Sequence, residues 1–449
     1  MIHFFALQFL KIAAIYFISI NFLYGLLMFL SWVKVKKYSQ ESKQKTQDSV
    51  IPAVSFVIPA FNEQSLIVET IQTYLSLPQE KKEIIIINDG SHDKTFQLLQ
   101  TMFQLRRTNT DSNLFRSISY PCLVVIESIH AGKAQALNLG IKHATYDLVC
   151  TMDADTIPTS SGVEASLKAF AQDSKLVATG GIIQVLDSQF IKGNTPLKTQ
   201  TLGWLTRFQS LEYMRTFICV RLGWSLIGST ALISGAFCML KKEAWKKVGG
   251  FRPESITEDL DLIIRLRKAY PGQNHRFRVL PVVTCHTQVP KDKRHLMVQR
   301  IRWQMGLVET LSRNLDLCFN PKHGPLGLVA IPYFWFVEVI SPLLEVSALI
   351  VIPFALIEGL IQPSLVCLYF ASGVIYNLMI TLFGTLLDNH HISKYKNWSS
   401  PTTALQTVCL HFGYKQLTSW WRLLALFKML KKNYHWGEKP RQEIIHQAF

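Results

Sequence analysis

Ile84-Ile-Ile-Ile-Asn-Asp-Gly-Ser91 runs four consecutive isoleucines into Asn-Asp-Gly, so a β-rich run ends in residues that commonly turn a chain from strand to helix. Similar β-rich runs occupy residues 54–58, 123–126 and 148–152, and the intervening stretches 65–77 and 94–103 read as helical. Strands alternating with helices are the pattern of a mostly parallel sheet with crossover helices. The runs lead into Pro59-Ala-Phe-Asn-Glu63, Asn88-Asp-Gly-Ser91 and Asp153-Ala-Asp155. In an open α/β sheet ligands bind beyond the carboxyl ends of the strands, which is where these polar residues fall.

At 449 residues the chain is too long for one ordinary domain, and 49% hydrophobic residues with a mean hydropathy of +0.18 point to membrane segments. The formal charge is +16, from 47 Lys and Arg against 31 Asp and Glu. No basic run with interleaved aromatics marks a nucleic-acid module, so nucleic acid is not an expected partner and the membrane explains the charge more simply. Residues 4–33 form an apolar stretch, broken by Lys11 and a few polar residues, that would span a bilayer core of roughly 30 Å. It lacks the basic n-region and the short apolar core, of about 7–15 residues, of a signal peptide. Lys34, Lys36, Lys37, Lys43 and Lys45 follow in what reads as a polar linker over 34–50, cytoplasmic by the positive-inside rule. The amino terminus is then expected outside, with a soluble domain over 51–320 in the cytosol.

Hydrophobicity returns over 326–360, 365–387 and, more weakly, 403–430. The first block contains Pro332, Pro342 and Pro353 and reads as an interfacial segment leading into a transmembrane helix; the second reads as a clear span, and together they make up 321–388. The third carries His411, Lys415 and Arg422, and within 389–449 it reads as a span or a surface amphipathic helix ahead of a basic tail. The eight cysteines show no C-x-x-C pair and no histidine at metal-ligand spacing, so they read as reduced thiols of a cytosolic compartment.

No glycine-rich turn follows the first strand and no Walker loop occurs, which disfavours hydride transfer and ATP hydrolysis. Asp89 is either a turn residue or a ligand contact. Asp153-Ala-Asp155 offers alternating carboxylates that can share one divalent cation with a bound diphosphate, since Mg²⁺ and Mn²⁺ favour oxygen ligands. Lys133, in His130-Ala-Gly-Lys-Ala-Gln-Ala-Leu-Asn138, could pair with a phosphate or simply be solvated. Ser255-Ile-Thr-Glu-Asp-Leu-Asp-Leu-Ile-Ile-Arg-Leu266 puts three carboxylates ahead of an apolar helical stripe, and Ser255-x-x-Glu258 has capping-box spacing. Gln299-Arg-Ile-Arg-Trp303 is either part of an amphipathic helix on an anionic membrane, or a site whose guanidiniums neutralise a pyrophosphate while Trp303 stacks on a sugar.

In this order, strand-end Asp89, Asp153-x-Asp155, Thr257-Glu-Asp259 and Gln299-Arg-x-Arg-Trp303 inside a membrane-flanked α/β domain, the chain resembles the processive family 2 glycosyltransferases. That group includes cellulose, hyaluronan and poly-N-acetylglucosamine synthases. The resemblance covers about residues 52 to 320; Pro59-Ala-Phe-Asn-Glu63, Ser234-Gly-Ala-Phe237 and Val248-Gly-Gly-Phe251 support it. The short apolar amino terminus, Cys285-His-Thr-Gln-Val-Pro290 and the compact carboxyl-terminal blocks look most similar to the poly-N-acetylglucosamine synthases.

The resemblance implies a type A glycosyltransferase fold and a role for each residue. Asp89 would contact the uridine of a UDP-sugar with Glu63 nearby and Lys133 on the donor side. Asp153 and Asp155 would hold the nucleotide with its Mg²⁺ or Mn²⁺, Asp155 as the metal ligand. Asp259 would be the general base of an inverting displacement, with an ordinary carboxylate pKa. Arg300 and Arg302 would stabilise departing UDP, and Glu258, Gln299 and Trp303 would shape the acceptor side. Gln288 stands where relatives often carry Glu. The expected partners are a UDP-sugar, a growing glycan or a lipid acceptor, membrane lipids and a small membrane accessory subunit. Three whole-protein expectations remain: a polysaccharide synthase, foremost from UDP-N-acetylglucosamine into an exopolysaccharide; a glycolipid synthase; and a transporter or regulatory membrane protein that only binds nucleotide.

Overall fold

The four isoleucines enter a strand covered on both faces, within a sheet of ten strands in the computed structural model, which describes residues 1–44, 50–108, 113–186, 203–392 and 400–431. In chain order the strands are β1 (Val54–Ala60), β2 (Lys82–Asp89), β3 (Leu105–Arg107), β4 (Leu114–Ser117), β5 (Leu123–Ser128), β6 (Leu148–Thr151), β7 (Thr156–Pro158), β8 (Ala178–Val185), β9 (Cys238–Lys241) and β10 (Phe277–Thr287). Across the sheet the order is β3-β4-β5-β2-β1-β6-β9-β8-β10-β7. All four β-rich runs of the sequence lie in the parallel core β5-β2-β1-β6. Beyond it β9 runs antiparallel to both neighbours, β8 and β10 pair in parallel, and short antiparallel strands close both edges, so the complete sheet is mixed.

Side chains alternate across a strand, so β2 serves two cores at once. Ile84 and Ile86 pack with Phe56 and Ile58 on one face, while Ile85 and Ile87 pack with Val57 on the other. All four isoleucines are at most 1% exposed. Burying each contributes about 1.5–3 kcal/mol relative to leaving it in water, and only a strand sandwiched between helices can use four in a row.

The helices of this domain are α2 (Ile67–Leu75), α3 (Thr95–Met102), α4 (Lys133–His143), α5 (Ser160–Gln172), α6 (Trp204–Met214), α7 (Leu222–Leu226), α8 (Lys242–Lys247), α9 (Glu258–Ala269) and α10 (Lys293–Ser312); they follow α1 (Ile2–Gln44), which enters from the amino terminus. α2 and α3 fall inside the two stretches expected to be helical. A π-helical turn, Arg215–Arg221, joins α6 to α7. Thr159 caps α5 by accepting from Gly162 N, and Asp292 caps α10 by accepting from the N–H groups of Arg294 and His295.

Towards the carboxyl terminus come α11 (Ile331–Tyr333), α12 (Ser341–Ile357), α13 (Pro363–Leu387), α14 (Ser400–Cys409) and α15 (Lys415–Lys431). Among the described residues three helical segments are long and apolar enough to cross a membrane: Ile2–Glu41, Leu326–Ile357 and Pro363–Leu387. Three of the expected segments take a definite form here. The linker read over 34–50 is helical through Gln44, because Ser31 and Val35 are buried and Lys34 donates to Ser225 Oγ at 2.5 Å, which docks α1 on α7; residues 45–49 lie outside the described residues. The segment expected ahead of the span is helical and continuous with it in the run Leu326–Ile357, with π-helical turns at Leu326–Ala330 and Phe334–Val339 on either side of Pro332. The third block is two helices rather than one. Non-helical Phe412 and Gly413 (φ 110°) break it, and α15 then packs against α10 and α12 with Trp421 and Ala425 buried. The basic tail beyond Lys431 lies outside the described residues.

Candidate active site

Asp89 ends β2, and the chain turns at Gly90 with φ 67°, where a Cβ would lie 2.7 Å from His130 N; only glycine fits. The Asp89 carboxylate is 3% exposed and accepts from Ala131 N at 2.8 Å and Gly132 N at 2.9 Å, with His130 Nδ1 at 3.1 Å. Both its oxygens accept from the loop that starts α4, so Asp89 holds the loop from which Lys133 begins its helix. Glu63 lies beyond the end of β1, its backbone N–H donating to Thr95 Oγ1 at 2.8 Å. Burial, then the charges of Asp155, Asp153 and Asp93, push the Glu63 carboxyl up to about 7.

Lys133 joins two motifs. Its Nζ makes an ion pair with Asp153 and lies 3.1 Å from Glu258 Oε1. Asp155 takes the Thr156 hydroxyl at 3.2 Å and the Thr287 hydroxyl at 3.5 Å, and burial followed by the Asp153 charge pushes its carboxyl up to about 6. The pair fits a divalent cation by its chemistry: two carboxylates and neighbouring hydroxyls, all oxygen, with Asp155 held high by its negative neighbour. Among the described residues no group of three or more His, Cys, Asp or Glu side chains is arranged to hold a metal, so Asp153 and Asp155 would leave coordination positions for substrate oxygens and water.

α9 opens at Thr257, whose side chain makes no capping bond, so Ser255 and Glu258 do not form the capping box their spacing suggests. The segment is held from outside instead. Glu309 on α10 accepts from Ile256 N at 2.9 Å, and α10 comes so close that a Cβ on Gly306 would lie 2.3 Å from Thr257 Cγ2. Glu258 turns to Lys133. Asp259 accepts from Leu260 N at 2.8 Å and, across the site, from Gly235 N at 2.9 Å, which ties the Ser234-Gly-Ala-Phe237 loop to the acidic motif. Burial and then the neighbouring Glu258 raise Asp259 above the ordinary carboxylate range, against the opposing pull of Lys133 and the two N–H groups. That departs from the ordinary value expected of the base; a raised pKa makes a stronger proton acceptor.

A cavity of about 510 Å³ connects these residues to the carboxyl-terminal helices. Asp153, Asp155 and Asp259 line it together with Gln288 and with Gln299, Arg300, Arg302 and Trp303 from α10; its far wall includes Tyr333, Glu338, Thr418 and Arg422. Arg300 is 6% exposed and already committed: its Nη2 donates to Glu212 at 2.7 Å and to Tyr414 OH at 3.3 Å, and its guanidinium lies 4.6 Å from the centre of the Trp303 ring. Arg422 donates from Nε to Gln304 Oε1 at 2.8 Å and from Nη2 to Glu338 Oε2 at 3.1 Å. α10 therefore carries motif residues into the cavity while Arg300 fastens it to α6 and to Tyr414, and Gln304 fastens it to α15.

Sequence reasoning missed Glu212, Tyr213 and Arg221 in the cavity wall. Glu212 and Tyr213 carry no local signal. Arg221 does, as the single charge in the apolar run Phe217-Ile-Cys-Val-Arg-Leu-Gly-Trp224.

Residues 55–247 match the family model Glycosyl transferase family 2. The poly-β-1,6-N-acetyl-D-glucosamine synthase of Staphylococcus aureus (strain COL) is 30% identical over 313 residues, 70% of this chain and 68% of that protein. The synthase of the same name from Staphylococcus epidermidis is 30% identical over 298 residues, 66% of this chain and 65% of that protein. Among solved structures, the mannosyltransferase of Pyrobaculum calidifontis in complex with GDP-Man and Mn²⁺ is similar in fold, with a TM-score of 0.55 at 19% identity, covering 90% of this chain and 99% of that one. The chain is a glycosyltransferase, and it belongs to glycosyl transferase family 2.

Proposed function

We propose that the chain is a membrane enzyme that transfers N-acetylglucosamine from UDP-N-acetylglucosamine to a growing polysaccharide at the cytosolic face, with inversion and repeatedly to the same chain. One observation carries this reading: acidic residues suited to a nucleotide donor, a buried aspartate suited to act as base, and helices of the membrane-facing region line a single cavity. The relatives named as poly-β-1,6-N-acetyl-D-glucosamine synthases support the choice of sugar.

In this reading the acceptor hydroxyl lies against Asp259. Its oxygen forms the new bond to the anomeric carbon as its proton passes to the Asp259 carboxylate. The bond from the anomeric carbon to the diphosphate oxygen breaks, and the electron pair leaves with UDP. Asp153 and Asp155 would hold Mg²⁺ or Mn²⁺, which neutralises diphosphate charge when bound. Arg302 supplies positive charge to the same leaving group, while Arg300, fastened to Glu212 and Tyr414, supports Trp303. Lys133, paired with Asp153 and Glu258, also brings a positive charge to the donor diphosphate. Asp89 acts through the loop it holds, with Glu63 beside the donor carboxylates.

The test is to incubate membranes containing the protein with a panel of labelled UDP-sugars and Mg²⁺ or Mn²⁺, then size and glycosidase-digest the product. A long N-acetylglucosamine polymer is expected. One or two sugars on a lipid would replace the polymer reading with a glycolipid synthase, and UDP binding without transfer from any donor would overturn the activity assigned here.

A further inference from the structure

Arg221 ends the π-helical turn Arg215–Arg221 in the wall of the cavity and belongs to none of the motifs. Its guanidinium lies 4.1 Å from the centre of the Phe217 ring, a buried aromatic that fixes the plane of the fork. Its Nη1 is shielded from solvent and has no hydrogen-bond partner among the described residues. A shielded donor on a cation is costly unless a polar group completes it. Asp259 and Glu338 are the carboxylates that act on it, one at the chemical end of the cavity and one in the far wall with Tyr333 and Arg422. The donor-side Asp153 has Lys133 instead. Arg221 thus lines the cavity that holds Asp259, on the π-helical turn rather than on the loop that carries the donor carboxylates, with a donor free for a ligand.

We propose that Arg221 is an acceptor-binding residue, whose guanidinium donates hydrogen bonds to the hydroxyl or N-acetyl oxygens of the sugar that presents its hydroxyl to Asp259. The assignment rests on the reading of Asp259 as the base. A planar guanidinium set on an aromatic ring offers donors at fixed angles, which suits the recognition of one sugar face.

The experiment uses the full-length protein in detergent, with UDP-N-acetylglucosamine as donor and a short N-acetylglucosamine oligomer as acceptor. Acceptor KM, donor KM, UDP affinity and thermal midpoint are measured for the wild type, Arg221→Met and Arg221→Lys. For Arg221→Met, acceptor KM should rise on the order of tenfold or more, the cost of removing a charged hydrogen bond. UDP affinity and donor KM should stay within about twofold, and the midpoint should hold or rise because an unpaired donor has been removed. Arg221→Lys should lie between the two. An unchanged acceptor KM would overturn the proposal, as would a fall in UDP affinity matching the rise in acceptor KM, or a lower midpoint with both KM values raised together. A wild-type rate retained by Asp259→Asn would instead remove the base, and the acceptor site with it, whatever Arg221 does.

Discussion

Asp153-Ala-Asp155 and Asp259-Leu-Asp261 have the same spacing, two carboxylates one residue apart, and the fold uses them in opposite ways. The first pair lies in the loop between β6 and β7, where both side chains line one cavity and Asp155 is held high by burial and by Asp153. The second pair lies on a helix, where positions i and i+2 face about 200° apart at 3.6 residues per turn. Asp259 therefore lines the cavity, while Asp261, 1% exposed, turns inward to Arg265 at 2.7 Å and Arg252 at 3.3 Å. Arg265 in turn donates to the carbonyls of Val248 and Gly250, so Asp261 secures the Val248-Gly-Gly-Phe251 loop. Spacing alone does not assign a carboxylate its job; the local backbone decides whether two acids share a cation or divide labour.

The sharpest way to break this contrast is to neutralise the two helical aspartates separately. Asp259→Asn should lower turnover by about 10³-fold, within the range for loss of a general base, with a stability change of about 1 kcal/mol or less, read from initial rates and a denaturant titration. Asp261→Asn should do the reverse. It should cost about 3 kcal/mol by leaving Arg265 without its buried carboxylate, while turnover per folded molecule stays near wild type. Equal rate losses from both would mean that the helix does not separate their roles.

The loop pair predicts a smaller, pH-dependent effect. Asp155 at about 6 and Glu63 at about 7 both stand above the usual carboxylate range of about 4. Each contributes stability that is fully present below the ordinary pKa and is lost as pH rises through the folded value. The cation-free enzyme should therefore lose thermal midpoint between about pH 4 and about pH 7 through these two groups and level off above it. Mn²⁺ should restore it at the alkaline end, binding more tightly as pH passes from about 6 to 7. Asp155→Asn should flatten both trends; an unaltered midpoint profile in that variant would show that Asp155 does not carry the charge.

The smallest effect concerns the cap. Ser255→Ala should cost under about 0.5 kcal/mol, since Thr257 rather than Ser255 begins α9, whereas Thr159→Ala should cost about 1 kcal/mol for a side chain that does cap its helix. Thermal denaturation of the two variants side by side checks this.

Strand runs and their polar ends were legible because alternation, β-branched residues and turn chemistry act over a few neighbours. Residues 54–58, 84–88 and 123–126 lie within β1, β2 and β5, and 148–152 runs one residue past β6. The apolar blocks were legible as lengths but not as shapes. Nothing local in residues 403–430 announces that Gly413 adopts φ 110°, or that α15 will pack on α10 and α12. Arg300 makes the same point inside a motif, since Glu212 and Tyr414, at distant positions in the chain, take up its Nη2.

By itself the sequence determined which elements form, which residues carry charge, and the order of acidic and basic motifs, because propensity, patterning and residue chemistry are local properties. Only the tertiary structure decided which charges meet. Lys133 reaches both Asp153 and Glu258, Arg300 is fastened to Glu212, Asp261 turns away from the site that Asp259 enters, and Arg221 is left in the cavity wall with a shielded donor that has no partner among the described residues. Ion pairs and burial depend on distance in space, and the chain brings these residues together only when the sheet, α9, α10 and the carboxyl-terminal helices have packed.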